Sequence, residues 1–416
     1  MEYQPRVVDA ELLARLASTG AVVIEGPKAC GKTATARQVA ASEVLLDVDA
    51  DARAAAAIAP DLVLAGTTPR LIDEWQIEPA IWNHIRRAVD DRQLAGQFIL
   101  TGSAVPADDI TRHTGAARIT RLRMRTMSLF ETGDSTGKIS LQALLGSGPG
   151  TCPDPGLTIQ DIATRIAIGG WPSHRTRTIP QALQSVRDYL DEIRRVDISR
   201  VDNVRRDPDR VGRLLVSLAR NVATTAAASA LARDIGGADG PIQDDTVREY
   251  LAALERLMIV EDQPAWAPHL RSRSILRTAP KRHFVDPSLA VAALRATPER
   301  LLREIRWLGF LFESLVVRDL RIYAQANDAV VRHYRDNTGL EVDAVVETAA
   351  GEWAAFEVKL GQNLVDEGAA NLLAFVERVD TTVSGPPRTL AVITATGYGY
   401  VRPDGVAVIP VGALAP

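Results

Sequence analysis

Eight residues constrain this chain more than any others: Gly26-Pro27-Lys28-Ala29-Cys30-Gly31-Lys32-Thr33. They satisfy the pattern G-x-x-x-x-G-K-[ST] at every position. The flanks agree with it. Ala21-Val22-Val23-Ile24 ahead of the loop reads as a buried strand, and Thr33 to Ala41 behind it lacks Gly and Pro and reads as a helix. A glycine-rich turn between strand and helix gathers backbone N–H groups around an anion, and the helix N-terminus adds partial positive charge. The pattern therefore predicts a phosphate cradle built from Gly26, Pro27, Lys28, Ala29, Cys30, Gly31, Lys32 and Thr33. Lys32 would reach the β- and γ-phosphates of ATP, and the Thr33 hydroxyl would ligate Mg²⁺.

The second constraint lies about forty residues downstream. Leu71-Ile72-Asp73-Glu74 is a hydrophobic run ending in two acids, the form of a Walker B motif. Asp73 would hold Mg²⁺, directly or through water, and Glu74 would orient and activate an attacking water. Helix caps also produce such strings; the position after a complete phosphate loop selects the catalytic reading. Thr101-Gly102-Ser103 closes the next apolar run, Gln97-Phe98-Ile99-Leu100. Ser103 there either senses the γ-phosphate or lies in an ordinary turn. Arg118 either stabilises transition-state charge, in cis or in trans, or is a solvated arginine; such fingers contribute roughly 10³–10⁵ in rate. Arg121, Arg123 and Arg125 alternate with Leu122 and Met124 and share one face of a strand. Lys32, Glu74 and Arg118 are the candidate catalytic residues.

At 416 residues the chain exceeds one ordinary domain. Up to about residue 145, strands alternate with helical segments: Val44 to Val48, the run Leu62 to Leu64, Arg70 to Asp73, helical Pro79 to Val89, then Gln97 to Leu100. That order predicts a parallel sheet with helices on both faces. Gly146 to Gly156 is dense in Gly and Pro and reads as a linker. Beyond it the pattern turns helical. A short helix over Leu231 to Gly236, a second over Thr246 to Leu257 capped by Asp244-Asp245, and extended Met258 to Glu261 follow the order of a winged helix-turn-helix. The expected organisation is a P-loop domain over 1–145, a linker over 146–158, a helical and winged-helix-like segment over 159–280, and a mixed α/β region over 281–416.

Cys30 and Cys152 are far apart and the six histidines are scattered, which opposes a disulfide framework and a zinc site. No apolar run is long enough to span a membrane, and Met1-Glu2-Tyr3-Gln4-Pro5-Arg6 has no apolar signal core. A cytoplasmic protein without a membrane partner is expected. The net charge of −4 does not announce a nucleic-acid binder. Local charge keeps DNA open as a partner: His269-Leu270-Arg271-Ser272-Arg273 and Lys281-Arg282-His283 bracket an expected hairpin beside the second helix. Asp244, Asp245, Glu249 and Glu255 on that helix oppose it.

Taken together, these residues resemble a bacterial and archaeal group of AAA-type ATPases whose members carry a C-terminal domain of unknown function, DUF4143. The matching strings are GPKACGKT, LIDEWQ, ILTGSA, GAARI and MSLFE, then Gly169-Gly170-Trp171-Pro172, Asp197-Ile198, Phe284-Val285-Asp286-Pro287 and Gly309-Phe310-Leu311-Phe312-Glu313. They fall in the family's order over nearly the whole chain. Thr126 departs from it, standing where the resemblance leads one to expect proline. The resemblance implies an ASCE-type P-loop fold, with a strand inserted between the P-loop and Walker B strands. Some relatives sit near toxin–antitoxin or defence genes.

The C-terminal region holds a second set of polar residues. Leu340 to Val346 reads as a strand containing Asp343, and Ala354 to Lys359 as a strand after a turn at Gly351. Glu357 and Lys359, two apart, share a strand face. Asp-x(13)-Glu-x-Lys resembles the PD-(D/E)xK nuclease core, with Glu313 supplied by a preceding helix. That resemblance implies a second Mg²⁺ site at Glu313, Asp343, Glu357 and Lys359. An active nuclease, a degenerate fold that binds nucleic acid, and a scaffold are all consistent with these residues. Two functions follow for the whole: an ATPase whose nucleotide state controls a region acting on nucleic acid, or a nucleotide-gated switch that turns over slowly and works through a protein partner. A trans-acting Arg118 would need a homo-oligomer.

Overall fold

The structure, a computed structural model, describes residues 2–103, 114–201, 204–237, 240–268 and 279–416. The chain divides into two compact units. The first comprises Met1–Thr126, Val196–Arg205 and Ala252–Ile259; the second comprises Met127–Arg195, Arg206–Leu251 and Val260–Pro416.

The first unit is built on five strands, β1 (Ala21–Glu25), β2 (Ser42–Leu45), β3 (Arg70–Asp73), β4 (Phe98–Gly102) and β5 (Ile119–Arg123), in the order β2-β3-β4-β1-β5. Every neighbouring pair is parallel. Because successive side chains point to opposite faces, β1 feeds two cores. Ala21 and Val23 join Ile72, Phe98, Leu100, Trp75 and Trp82 on one side. Val22 and Ile24 join Leu71, Ile99, Leu122 and the helix Val8–Ser18 through Leu12 and Leu16 on the other. Each such buried aliphatic contributes roughly 1.5–3 kcal/mol. With both faces covered, the strands can be apolar throughout, as the sequence pattern requires. Strand β4 lies between β1 and β3, which is the ASCE arrangement. The apolar run Leu62 to Leu64 is the end of a helix, Pro60–Leu64, with Pro60 at its first position, where a missing N–H costs nothing.

The second unit holds a short parallel pair, β6 (Ile139–Ser140) with β13 (Leu414–Ala415). Its main sheet comprises β7 (Ala329–Arg335), β8 (Glu341–Thr348), β9 (Trp353–Lys359), β10 (Thr389–Thr394), β11 (Tyr400–Val401) and β12 (Ala407–Pro410), in the order β11-β12-β10-β9-β8-β7. Strands β7, β8 and β9 run antiparallel, and β10 is parallel to β9 and β12. The helix Ile305–Ala326 is buried almost continuously from Leu311 to Ala324. Trp266, Trp353, Tyr334 and Phe375 form an aromatic cluster in the core, with centroids as close as 4.6 Å.

The stretch expected as a linker lies inside this unit. Cys152 and Gly399 exchange backbone hydrogen bonds at 3.0 and 2.9 Å, which ties it to the strand end. The compact units divide at Thr126 rather than near 145. The helix-turn-helix order is present as helices Ala228–Gly236 and Asp244–Arg256, followed by antiparallel bridges Val260–Phe284 and Gln263–Lys281. His269, Leu270, Arg271, Ser272 and Arg273 lie outside the described residues.

Candidate functional site

In the first unit the loop after β1 closes tightly. A Cβ at Gly26 would sit 2.3 Å from the Met124 carbonyl oxygen, so no larger residue fits there. Gly31 has φ 106°, a conformation open to glycine. The Lys32 ammonium is buried and donates to the Gly26 and Pro27 carbonyls, both at 2.9 Å. Thr33 Oγ1 donates to Asp73 Oδ1 at 2.9 Å, and Thr101 Oγ1 donates to the same oxygen. The two expected Mg²⁺ ligands are therefore in contact, 40 residues apart in sequence.

Glu74 follows β3 with φ 53° and ψ 44°, a left-handed conformation that costs a non-glycine residue about 1 kcal/mol or more. This turn starts the 3₁₀ segment Trp75–Ile77 and leaves the carboxylate beside Ser103. Ser103 Oγ donates to Glu74 Oε2 at 3.3 Å, and Gln76 Nε2 donates to the same oxygen. Lys28, Lys32, Thr33, Glu74, Gln76 and Ser103 line one cleft of about 830 Å³. Gln76 Oε1, buried, accepts no hydrogen bond among the described residues.

Two further residues of this unit enter the cleft, Asp197 and Arg200. Lys28 Nζ donates to Asp197 Oδ1 at 2.6 Å. Asp197 appeared in the sequence only within a family-like string, and Gln76 likewise. Asp197 has no spacing signal, because its partner Lys28 is 169 residues away.

Arg118 is elsewhere. Its carbonyl accepts from Ala21 N, the first residue of β1, whereas the phosphate loop follows the last. Five strand residues put the two ends about 13–16 Å apart. Its guanidinium instead pairs with Asp90 at 2.7 Å. Of the alternatives open for Arg118, action in cis is the one its place opposes: Arg118 does not line the cleft of its own unit.

The second unit assembles the acidic set differently from expectation. Glu313, Glu341 and Asp343 converge on the buried ammonium of Lys281, at 2.7, 2.7 and 3.0 Å. Asp343 Oδ2 also accepts from Val358 N at 2.9 Å. Glu357 is turned to Asn371 Nδ2 at 2.8 Å and to Lys359 at 3.2 Å. Burial first, and the Asp343 charge second, push both the Glu313 and Glu357 carboxyls up to about 8. Burial alone would lower the Lys281 ammonium, but the three carboxylates outweigh it and hold it well above the usual lysine value. Among the described residues no group of three or more His, Cys, Asp or Glu is placed to hold a metal ion. The arrangement does not fit the second Mg²⁺ expected at Glu313, Asp343, Glu357 and Lys359. Lys281, Glu341 and Asn371 are the residues of this cluster that sequence reading did not place there.

Residues 18–133 match the family model described as an AAA domain, and residues 308–414 match a domain of unknown function, DUF4143. The chain joins an AAA domain to a DUF4143 domain. Between them, residues 159–300 match a second domain of unknown function, DUF8612. The AAA match covers the phosphate loop, Asp73, Glu74 and Ser103, and supports ATP binding and an ATPase. An uncharacterized protein of Mycobacterium tuberculosis and one of Mycobacterium bovis are each 25% identical over 368 residues, 86% of this chain and 74% of theirs. Among solved structures, the Walker-type ATPase of Pyrococcus abyssi is similar at 11% identity, over 70% of this chain and 99% of that one, with a TM-score of 0.41. A STAND protein of Pyrococcus horikoshii with a tetratricopeptide repeat sensor follows at 13% identity, over 79% and 51%, with a TM-score of 0.22. No helix among the described residues is long and apolar enough to cross a membrane.

Several of the family-like strings meet in the second unit. Gly170 N donates to Asp286 Oδ2 at 3.0 Å, and Trp171 Nε1 to Ser288 Oγ at 3.0 Å. Leu129 N, at the start of the helix capped by Ser128 and Glu131, donates to Asp319 Oδ2 at 3.0 Å. Arg318 bridges Asp286 and Asp319 at 3.1 and 2.7 Å, all three buried. These strings are a structural junction.

Proposed function

We propose that the AAA domain binds ATP with Mg²⁺ and hydrolyses it to ADP and phosphate, and that nucleotide state controls the second unit. The observation that carries this reading is the convergence of Lys32, Thr33, Glu74 and Ser103 on one cleft, with Asp73 hydrogen-bonded to Thr33. The N–H groups of residues 28–33 would cradle the phosphates, and Lys32 would exchange its two carbonyl partners for phosphate oxygens. Thr33 and Asp73, already hydrogen-bonded, would hold the metal. Bound Mg²⁺ would neutralise charge on the β- and γ-phosphate oxygens. The Glu74 carboxylate would accept the proton of the attacking water, with Ser103 and Gln76 fixing its orientation. A positioned general base of this kind contributes about 10²–10⁴ in rate. Glu74→Gln should therefore bind ATP as the parent does and lose turnover by about that factor. Undiminished hydrolysis by Glu74→Gln would remove Glu74 from the role.

The target of the second unit divides two readings. Nucleic acid is supported by the order of two helices and a hairpin. A nucleotide-gated protein-interaction switch with slow turnover, as in a toxin–antitoxin or defence component, is favoured by one observation. Of the hairpin cations expected to meet DNA, the three among the described residues are turned inward: Lys281 is 1% exposed on its carboxylates, Arg282 pairs with Asp262, and His283 is buried. ATP hydrolysis measured with and without duplex DNA separates the two. Stimulation supports the nucleic-acid reading; an unchanged slow rate supports the switch.

A further inference from the structure

The acidic cluster of the second unit already contains a cation. Lys281 stands on the antiparallel bridge to Gln263, and its ammonium is enclosed by Glu313 from the helix Ile305–Ala326 and by Glu341 and Asp343 from β8. An ammonium has three N–H donors and no acceptor. Here each donor has a carboxylate oxygen, at 2.7, 2.7 and 3.0 Å. A divalent metal would need the same oxygens at about 2.0–2.6 Å around its own centre. It would also stand against a like charge, the Lys281 ammonium, which is 1% exposed and so weakly screened. Burying carboxylates is costly unless they are paired, and Lys281 supplies that pairing from within the chain.

The other members of the implied metal set are also committed. Asp343 Oδ2 takes the Val358 N–H. Glu357 is held by Asn371 and Lys359, and Lys359 is shared with Glu367 at 3.2 Å. Gln263 Nε2 donates to the Asp343 carbonyl at 2.9 Å, which fixes the strand position that aims Asp343 at Lys281.

We infer that Lys281 is the resident cation of this site, standing where a divalent metal would stand in a nuclease core, so that the second unit neither loads Mg²⁺ there nor cleaves phosphodiesters. The cluster then serves as a hydrogen-bonded pin, one ammonium shared by three carboxyl groups, between the hairpin, the long helix and β8. This inference does not depend on whether the AAA domain hydrolyses ATP.

Mn²⁺ binding to the intact, nucleotide-free protein, followed by electron paramagnetic resonance, tests it. The expected result is no saturable binding attributable to Asp343 in the parent protein up to millimolar metal. Lys281→Met, checked for fold by circular dichroism, should acquire a saturable site with Kd on the order of 10⁻⁴ M, which Asp343→Asn then abolishes. A saturable site in the parent protein that Asp343→Asn removes and Asp73→Asn leaves intact would overturn the inference. So would a folded Lys281→Met that gains no metal. If Lys281→Met does not fold, the parent protein compared with Asp343→Asn decides alone. Plasmid cleavage with Mg²⁺ is a second readout: none is expected from the parent, and cleavage lost in Asp343→Asn would contradict the assignment.

Discussion

Lys28 of the phosphate loop donates to Asp197 at 2.6 Å, and the second oxygen of that buried carboxylate accepts no hydrogen bond among the described residues. The carboxylate therefore stands beside a loop built to receive an anion. Residues 196–205, which carry it, are flanked in sequence by residues of the second unit on both sides. An incoming phosphate and Asp197 would compete for Lys28. A half-exposed pair of this kind is worth about 0.2–1 kcal/mol, so Asp197→Asn should tighten ATP binding by up to about fivefold. Titration with a fluorescent ATP analogue checks this; weaker binding would show that Asp197 supports the loop instead of competing with the ligand.

The hydrogen bonds from Ser103 and Gln76 to Glu74 predict a positioning role for both. Ser103→Ala and Gln76→Ala should each lower kcat by roughly tenfold while leaving KM for ATP nearly unchanged, because small misplacements of a base cost up to about 10² in rate. A rise in KM with kcat intact would assign them to ground-state binding.

Arg118 lies at the far end of β1 from the phosphate loop and pairs with Asp90. Arg118→Ala should leave turnover per molecule unchanged at low protein concentration. If the parent's specific activity rises with concentration and the variant's does not, Arg118 acts in trans.

The raised carboxyls give a pH dependence with a definite sign. Glu313, facing Lys281, Asp343 and Glu341, and Glu357, facing Asp343 and Lys359, each move from an ordinary 4.5 to about 8 in the folded protein. In that interval the folded chain holds protons that the unfolded chain has released, so stability falls as pH rises from about 4.5 to about 8 and levels off above. Glu313→Gln should flatten the decline in Tm over this window and raise Tm at its upper end. A parent Tm that climbs from pH 5 to pH 8 would contradict the burial argument.

Arg318 sits between two buried carboxylates, Asp286 and Asp319. Arg318→Met should destabilise the second unit by about 3–5 kcal/mol, the usual cost of removing one partner from a buried ion network. Urea denaturation measures it, and a loss under about 1 kcal/mol would mean the carboxylates find other partners or protons.

The first unit was legible because its signals are local. A phosphate loop, an apolar strand ending in Asp73-Glu74 and the alternation of Val22 with Val23 each occupy a few consecutive residues. The apolar run Leu62 to Leu64 carried no helix signal, because a proline-started helix of five residues has too few turns to show a period. Two acids of the second site, Glu313 and Asp343, were legible; Glu341 and the cation were not. Lys281 meets Glu313 and Asp343 from 32 and 62 residues away, and no pattern along the chain distinguishes such a lysine from one that faces solvent. For Arg118 only the action in cis was misplaced. Its place near a glycine turn matched a finger, while the parallel register of β5 on β1 puts it at the wrong end of the sheet.

The central claim is nucleotide hydrolysis at the cleft after β1. Mg²⁺-dependent release of phosphate from ATP by the intact protein, beside Lys32→Ala, tests it most directly. The account predicts turnover in the parent that requires Mg²⁺ and is lost in the variant. Hydrolysis that persists undiminished in Lys32→Ala, or a parent protein that binds no ATP, would contradict it.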